Sequence, residues 1–282
     1  MEVLYVMAGW MLFTTLLGLG NTVGYHRMLT HRSFVAVPAV RNILILLGAM
    51  HSGSPLFWVG LHRFHHARSD TDDDPHTPKD GFWHGHTGWI INSHNPAACG
   101  AFALSGFGQQ FMIVHHDWRR VRGQNPATWI AVCSDIKDEP LLRFLDVPFV
   151  MPAIFALQLV GAWLLAGLSG LLFLWLAHLF LTNASWAVNS ICHWPTFGRR
   201  TYDTGEHSRD VPWVAWFTNG EGFHNCHHRF PRSACHALHG GSDLSWTVIH
   251  ALVRLGLARD PWLPRSMKES ILAGRAPQPP SP

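Results

Sequence analysis

Residues 148–188 read PFVMPAIFALQLVGAWLLAGLSGLLFLWLAHLFLTNASWAV, a stretch without a single Asp, Glu, Lys or Arg. A helix needs about 20 apolar residues to cross the roughly 30 Å hydrocarbon core of a bilayer. The stretch is therefore long enough for two spans, 148–167 and 168–188. Because residues 167–170 leave room for only a tight turn, we predict a transmembrane hairpin.

A third apolar segment, residues 3–20, is also long enough to span a bilayer. It has no basic leading region and no small-residue cleavage site, so we expect it to remain in the mature protein. Residues 40–50 form a shorter apolar run with Arg41 and Asn42 at its start. We place this run flat at the membrane interface or within the core, and predict three spans in total.

The composition agrees with a chain that is partly solvated by lipid. Only 14% of the residues are charged, against about 25% in a typical soluble domain, and 14 residues are Trp. A soluble all-α protein is disfavoured because two successive apolar spans are hard to bury in one domain of 282 residues. The formal charge of +3 comes without a basic block, so we expect no nucleic-acid partner.

The basic residues predict the topology. Every Lys and Arg lies within residues 27–143 or from 199 onward. By the positive-inside rule both stretches face the cytoplasm, while the N-terminus and the 167–170 turn lie outside. We therefore predict an all-α, multi-pass integral membrane protein with one domain, residues 1–273. Residues 21–147 and 189–265 form its cytoplasmic helical cap, and residues 274–282 form a disordered Pro-rich tail.

Histidine is the second compositional outlier, with 21 residues, as many as Lys and Arg together. Three motifs contain eight of them: HRMLTH at 26–31, HRFHH at 62–66 and HNCHH at 224–228. In the second and third motifs, positions i, i+3 and i+4 share one helical face. Neutral imidazoles that converge in this way bind first-row transition metals. Isolated residues such as His94, His178 and His250 are instead interpreted as structural.

The number of candidate ligands favours two metal ions. His193, at the end of the last predicted span, adds a ninth imidazole, and Asn189 lies four residues earlier on the same helical face. A tetrahedral zinc site takes about four ligands, so nine imidazoles fit two ions with four or five each. All of these residues lie on the cytoplasmic side of the predicted topology. The five cysteines have no CxxC pair, and we expect reduced thiols.

The order HxxxxH, HxxHH, NSxxH and GEGFHNxHH resembles the membrane-bound acyl desaturase family, which includes stearoyl-CoA desaturases. Residues 58–66, 69–76, 81–89 and 220–228 resemble the same family, so the likeness covers nearly the whole chain. It implies a non-haem di-iron centre that activates O2 and removes two hydrogens from an acyl chain, commonly at carbons 9 and 10. The residues that it implies as iron ligands are His26, His31, His62, His65, His66, His193, His224, His227 and His228.

Two further roles follow from the resemblance. Asn189 would hold a metal-bound water, and Trp58 would line the acyl tunnel where the chain bends, unless Trp58 is an interfacial anchor. Among the four acidic residues at 70 and 72–74, some could accept hydrogen bonds from ligand imidazoles, or all could form a solvated loop. The sequence leaves both interpretations open.

Three departures from the family pattern affect the predicted substrate and partners. Only about twenty residues precede the first motif, where the family usually has two spanning helices. Gly60-Leu61 replaces an Arg-Asp pair that helps the stearoyl-CoA branch to bind coenzyme A. The chain thus looks more like the acyl-lipid Δ9 desaturases of cyanobacteria and plants, with an acyl-lipid, acyl-CoA or acyl-carrier-protein substrate. No HPGG haem motif is present, so we expect electrons from a separate ferredoxin or cytochrome b5.

Other functions remain as alternatives. A hydroxylase or acetylenase of the same superfamily would use the same ligands. A metal carrier or receptor would need ionisable residues along the spans, where only Glu2 and His178 occur. A zinc hydrolase is weakened by the excess of candidate ligands.

Overall fold

The computed structural model describes residues 2–74, 76–121, 131–266 and 268–272. This part of the chain is mostly helical, as predicted, and its strands β1 (Val35–Ala36) and β2 (Ala258–Arg259) form one short antiparallel pair. The predicted tail at 274–282 lies outside the described residues.

The helices follow one another with short connections. Wider π-helical turns continue the first helix at Gly20–Thr30 and precede the fourth at His84–Gly88, and 3-10 turns lie at Pro78–Asp80 and Ile191–His193. The α-helices are α1 (Glu2–Leu19), α2 (Pro38–Ser52), α3 (Pro55–Arg68), α4 (Trp89–Ile91), α5 (Pro96–Leu104), α6 (Gly108–Val121), α7 (Pro140–Leu145), α8 (Val150–Ser190), α9 (Pro212–Phe217), α10 (His224–Arg229), α11 (Leu244–Arg254) and α12 (Lys268–Leu272).

Two helical segments of the described chain, Glu2–Thr30 and Val150–His193, are long and apolar enough to cross a membrane. The number rises to four if each of two bent helix pairs forms one span. Helix α8 is interrupted by non-helical backbone at Ala166 and Gly167. The ring of Phe155 lies 5.2 Å from that of His178, a distance that a straight helix does not allow. The chain therefore reverses direction at this interruption. The two arms therefore pack as a hairpin.

The two bent pairs bring short helices towards the centre of the molecule. Helices α2 and α3 meet at 81°, and α5 and α6 meet at 97°. Helix α2, which contains the apolar run at residues 40–50, packs against the π-helical segment, where Gly24 lies against the backbone of Leu44. The α5–α6 pair was not predicted, because each helix is too short to span a bilayer by itself.

A buried arginine ties the first helical segment to the C-terminal part of the chain. Arg27 is fully buried, and its guanidinium donates to the carbonyl oxygen of Ala234 at 2.7 Å. It also forms ion pairs with Asp243 at 2.9 Å and with Glu221 at 3.2 Å. Burial of a charge is tolerated when it is paired in this way, so these contacts fix the π-helical segment in place.

Candidate metal centre

The first histidine motif owes its geometry to the π-helical segment. His26 and His31 are five residues apart, which in an α-helix would turn them about 140° away from each other. In a π-helix the backbone bonds from i to i+5, and the amide of His31 donates to the carbonyl oxygen of His26 at 3.1 Å. The two rings consequently lie together, with centroids 4.8 Å apart.

The other two motifs lie on short helices with fixed ends. Helix α3 begins with Pro55, and the hydroxyl of Ser54 accepts from the amide of Phe57 at 3.3 Å. Helix α10 is held by the carboxylate of Asp210, which accepts from the amide of Cys226 at 3.0 Å. A side-chain acceptor at a helix start stabilises the first turn, so both helices present their histidines at a defined angle.

The structure brings all nine predicted histidines together in two groups of possible ligand atoms. Within each group these atoms lie within 4.8 Å of one another. The first group is His26, His31, His62, His66 and His227; the second is His65, His193, His224 and His228. Each group draws on several distant parts of the sequence, so the folded chain assembles both.

The imidazoles face one another through their Nε2 atoms. In the first group Nε2 of His227 lies 3.1 Å from that of His26 and 2.9 Å from that of His66. In the second, Nε2 of His224 lies 3.1 Å from those of both His193 and His228. If each ring carries its proton on Nδ1, these contacts set lone pair against lone pair, which a bound cation would stabilise. The donor set therefore fits two metal ions.

Buried carboxylates favour that tautomer. Nδ1 of His26 lies 2.6 Å from Glu221, Nδ1 of His65 lies 3.0 Å from Asp74, and Nδ1 of His193 lies 3.1 Å from Asp70. A carboxylate that holds Nδ1–H orients the ring and makes Nε2 a better ligand. The sequence left open whether the acidic loop orients the imidazoles or is solvated. Both interpretations apply in part, because residues 70 and 74 are buried, while residues 72 and 73 are exposed.

These carboxylates stay ionised at neutral pH. Burial raises the pKa of Asp70. The hydrogen bonds that it accepts from His193 and from the backbone amide of His207 outweigh burial and lower that pKa to about 2. Burial likewise raises the pKa of Glu221, and the neighbouring His26, His236 and Arg27 hold it well below the usual range. An ionised carboxylate accepts but does not donate, so the proton of each contact belongs to the imidazole.

Besides Glu221, three residues around the groups were not predicted as site residues. His236 packs on His227 with ring centroids 4.4 Å apart, and Glu206 lies 3.6 Å from Nδ1 of His228. His76 packs on His65 at 4.4 Å. His76 belongs to a quoted motif without an assigned role, whereas no spacing signal distinguishes Glu206 or His236.

An apolar cavity of about 1350 Å³ leads to the histidines. It runs between α1 and the second arm of α8, and His26, His62 and His224 line its inner end. Trp58 and Asn189 also line it, and the indole of Trp58 stacks on His62 at 5.0 Å. No Lys or Arg is among the described residues that line the cavity.

Fold and site together define a membrane protein with a partly buried polyhistidine centre at the end of an apolar cavity. The family model for fatty acid desaturases matches residues 5–251. The chain belongs to the fatty acid desaturase family, as the motifs predicted, and is an oxidoreductase. Members of the family act on lipid substrates and generally need an electron donor.

Three relatives illustrate the range of the family. The sn-1 stearoyl-lipid 9-desaturase of Anabaena variabilis is 38% identical over 86% of this chain and 78% of the relative. The chloroplastic palmitoyl-monogalactosyldiacylglycerol delta-7 desaturase of Arabidopsis thaliana is 31% identical over 90% of this chain and 61% of the relative. An acyl-CoA 5-desaturase of Anemone leveillei is 33% identical over 87% of this chain and 68% of the relative.

Asp74→Asn should weaken metal binding without unfolding the protein. The substitution keeps the shape of the side chain but removes the charge that holds Nδ1–H of His65. Loss of such a contact typically lowers metal affinity or activity by about 10-fold to 100-fold. Metal titration of the purified protein measures the change, and Asp73→Asn, on the exposed part of the same loop, is the matched control. Equal affinities in the two variants would contradict the assigned role of Asp74.

Proposed function

We propose that the chain is an O2-dependent desaturase that introduces a double bond at carbon 9 of a long, lipid-bound acyl chain at a non-haem di-iron centre. The observation that carries the proposal is the convergence of nine imidazoles, in groups of five and four, at the inner end of an apolar cavity. An unactivated methylene offers no polar handle, so an enzyme must hold it by the shape of the cavity beside the reactive centre.

The histidines of the two groups would hold the two iron ions, one ion in each group. Bound iron would supply the activation of O2 and the removal of two hydrogens from the acyl chain. The residues of this chain bind and orient: the imidazoles provide the nitrogen ligands, while Glu221, Asp70 and Asp74 fix the rings through Nδ1. Asn189, on the cavity wall, would hold a metal-bound water.

The cavity supports a long acyl chain as substrate. Each methylene buried against its apolar wall gains about 0.8 kcal/mol, so a long chain is bound more tightly than a short one. The depth at which the chain stops then determines which carbons lie beside the metals. Trp58 packs against both His26 and His62 at the inner end, where it would direct the bend of the chain.

The carrier and the position of the double bond are inferred from this chain and its relatives together. Coenzyme A carries several phosphates, yet the described cavity lining contains no Lys or Arg, and Gly60-Leu61 adds none. The relative from Anabaena variabilis is named for a stearoyl-lipid and for carbon 9. A lipid ester desaturated at carbon 9 fits both observations. Relatives named for carbons 7 and 5 make the position a matter for direct measurement.

The distribution of Lys and Arg indicates the side of the membrane on which the metal centre would lie. All of them lie in the two stretches that contain or flank the histidine motifs, which supports a centre on the cytoplasmic side. A ferredoxin or cytochrome b5 in the cytoplasm would then deliver electrons.

Lipid analysis of a desaturase-deficient host tests the proposal. The host expresses the chain together with a ferredoxin or cytochrome b5 system, and gas chromatography with mass spectrometry locates new unsaturation. We expect a double bond at carbon 9 in lipid-bound chains, and none with the His227→Ala variant. A hydroxylated or acetylenic product would instead assign the chain as a hydroxylase or an acetylenase. Absence of any product with either donor system would contradict the proposal.

A further inference from the structure

A second histidine pair lies inside the helical bundle, apart from the two metal groups. Nδ1 of His51, at the end of α2, lies 3.1 Å from Nδ1 of His178, in the second arm of α8. Both residues are buried, with 3% and 0% of their surfaces exposed. The amide nitrogen of Gln110 lies 2.9 Å from the same Nδ1 of His178. The sequence suggested a structural role for His178 and gave none to His51.

The pair is surrounded by polar atoms that lack protein partners. Among the described residues, Nε2 of His178, Oε1 of Gln110 and Oγ1 of Thr182 are buried without a hydrogen bond. An unpaired polar group in an apolar interior costs about 1–3 kcal/mol, and ionisable residues within a membrane are usually functional. Ordered water normally satisfies such groups. The cluster therefore indicates a hydrated position within the bundle.

A small cavity lies between His51, the other member of the pair, and the metal centre. It has a volume of about 80 Å³, enough for several water molecules. Asn21, His51, Ser52 and Gln109 give it polar walls, and His62 and Asn189 form its other side. Most of its remaining lining is apolar and overlaps that of the acyl cavity, so it is a side chamber with polar groups on part of its wall.

Polar residues on one face of α8 lead from the histidine pair towards the metal centre. His178, Thr182, Ser185 and Asn189 recur at intervals of four, three and four residues, which places them on one face of the helix. This polar face continues from the middle of the bundle to His193 in the second metal group. A hydrated path thus has groups to support it from His178 to the candidate metal ligands.

The reaction itself requires such a path. Desaturation combines R–CH2–CH2–R′ with O2, two electrons and two protons to give R–CH=CH–R′ and two water molecules. The electrons come from the one-electron carrier protein, and the protons must reach the inner end of the apolar cavity, where the acyl chain would lie beside the metals. Polar side chains and ordered water are the means by which proteins move protons through an apolar region.

We infer that His51 and His178, with the polar groups of the small cavity between His51 and the metal centre, deliver the two protons that the reduction of O2 consumes. This role rests on the proposed function. Either imidazole can accept a proton on one ring nitrogen and release one from the other, which a glutamine amide cannot do.

The first test detects water in the cavity and needs no metal. Hydroxyl-radical footprinting of the metal-free protein in lipid nanodiscs oxidises side chains next to ordered water, and mass spectrometry locates the products. Met112 lines the small cavity, whereas Met151, which is also buried, lines neither cavity. We expect oxidation of Met112 but not of Met151, and less oxidation of Met112 in His51→Leu. Protection of Met112 in the wild type would overturn the hydrated path.

The second test separates proton delivery from structural support. His51→Gln keeps a side-chain amide for hydrogen bonding, so we expect wild-type metal content and an unchanged KM for the acyl lipid. Turnover should fall on the order of 100-fold, the size of a lost proton-transfer group, and more O2 should be consumed per double bond formed. His250→Gln, in a half-buried histidine on α11, should behave as wild type.

The outcomes distinguish this inference from the proposed function. If the wild type desaturates and His51→Gln is equally fast and equally coupled to O2, proton delivery by this pair is wrong while the desaturase assignment stands. If His51→Gln loses metal or binds the acyl lipid more weakly, the pair supports the structure and the inference is also wrong. If the wild type makes no product, the proposed function fails, and the inference fails with it.

Discussion

His227→Ala is expected to abolish desaturation while the protein still inserts into the membrane. Nε2 of His227 lies within 3.1 Å of those of His26 and His66, so its loss removes a central ligand of the five-histidine group. Electrostatic groups at a reaction centre are each worth about 100-fold to 1,000-fold in rate, and loss of a metal ion removes the reaction itself. Product analysis of membranes from the expression host measures turnover.

Two controls make this result specific. His250→Ala alters a histidine that lies outside both groups and stacks on Trp246, and it should retain activity. His227→Asn fills more of the buried space and should be as inactive as His227→Ala, which separates the loss of a ligand from the loss of packing. Wild-type turnover in both His227 variants would contradict the assignment of the first group.

Glu221→Gln is expected to weaken both metal binding and folding. Its carboxylate contacts Nδ1 of His26 and also pairs with the fully buried Arg27. Breaking a buried ion pair from one side typically costs about 3–5 kcal/mol. Since Arg27 keeps its contact with Asp243, we expect a loss near the lower end. Metal affinity should fall by about 10-fold to 100-fold because His26 loses its orienting partner.

Thermal unfolding in detergent and metal titration measure the two effects of Glu221→Gln separately. Glu139→Gln is the matched control, because Glu139 pairs with Arg41 at a partly exposed position. Such pairs contribute about 0–1 kcal/mol, so this variant should differ little from the wild type. A melting temperature and metal affinity that change equally in the two variants would contradict the central place of Glu221.

The candidate ligands within each HxxHH motif could be predicted from the sequence, because the spacing between them is local. Motifs of the form HxxHH place their imidazoles on one helical face whatever the rest of the chain does. The spacing of His26 and His31 is different, since five residues align only in a π-helix. The motif by itself did not predict that backbone, nor the close approach of Gly24 in the same segment to Leu44 of α2.

The surroundings of the site depend on contacts between distant parts of the chain. Asp70 and Asp74 follow α3 directly, and the sequence raised an orienting role for them. Glu206 reaches His228 only because the loop before α9 folds back over α10. The pairing of His51 with His178 joins two residues far apart in sequence, each of which looks unremarkable by itself.

The α5–α6 pair shows a case in which hydropathy does not reveal a possible membrane span. A span is recognised by an unbroken apolar run of about 20 residues, and neither helix provides one. Ser105 at the bend accepts a hydrogen bond from the indole of Trp175 in α8 at 2.7 Å, through its carbonyl oxygen. That tertiary contact stabilises a bend that local sequence does not indicate.

The metal content of the purified wild-type protein tests the central claim most directly. Elemental analysis of protein prepared with iron should give about two iron ions per chain, one for each histidine group. His227→Ala and His224→Ala, which alter one group each, should each retain about half of that iron. A wild type with a single metal ion per chain, or with none, would contradict a two-iron centre built from these nine histidines.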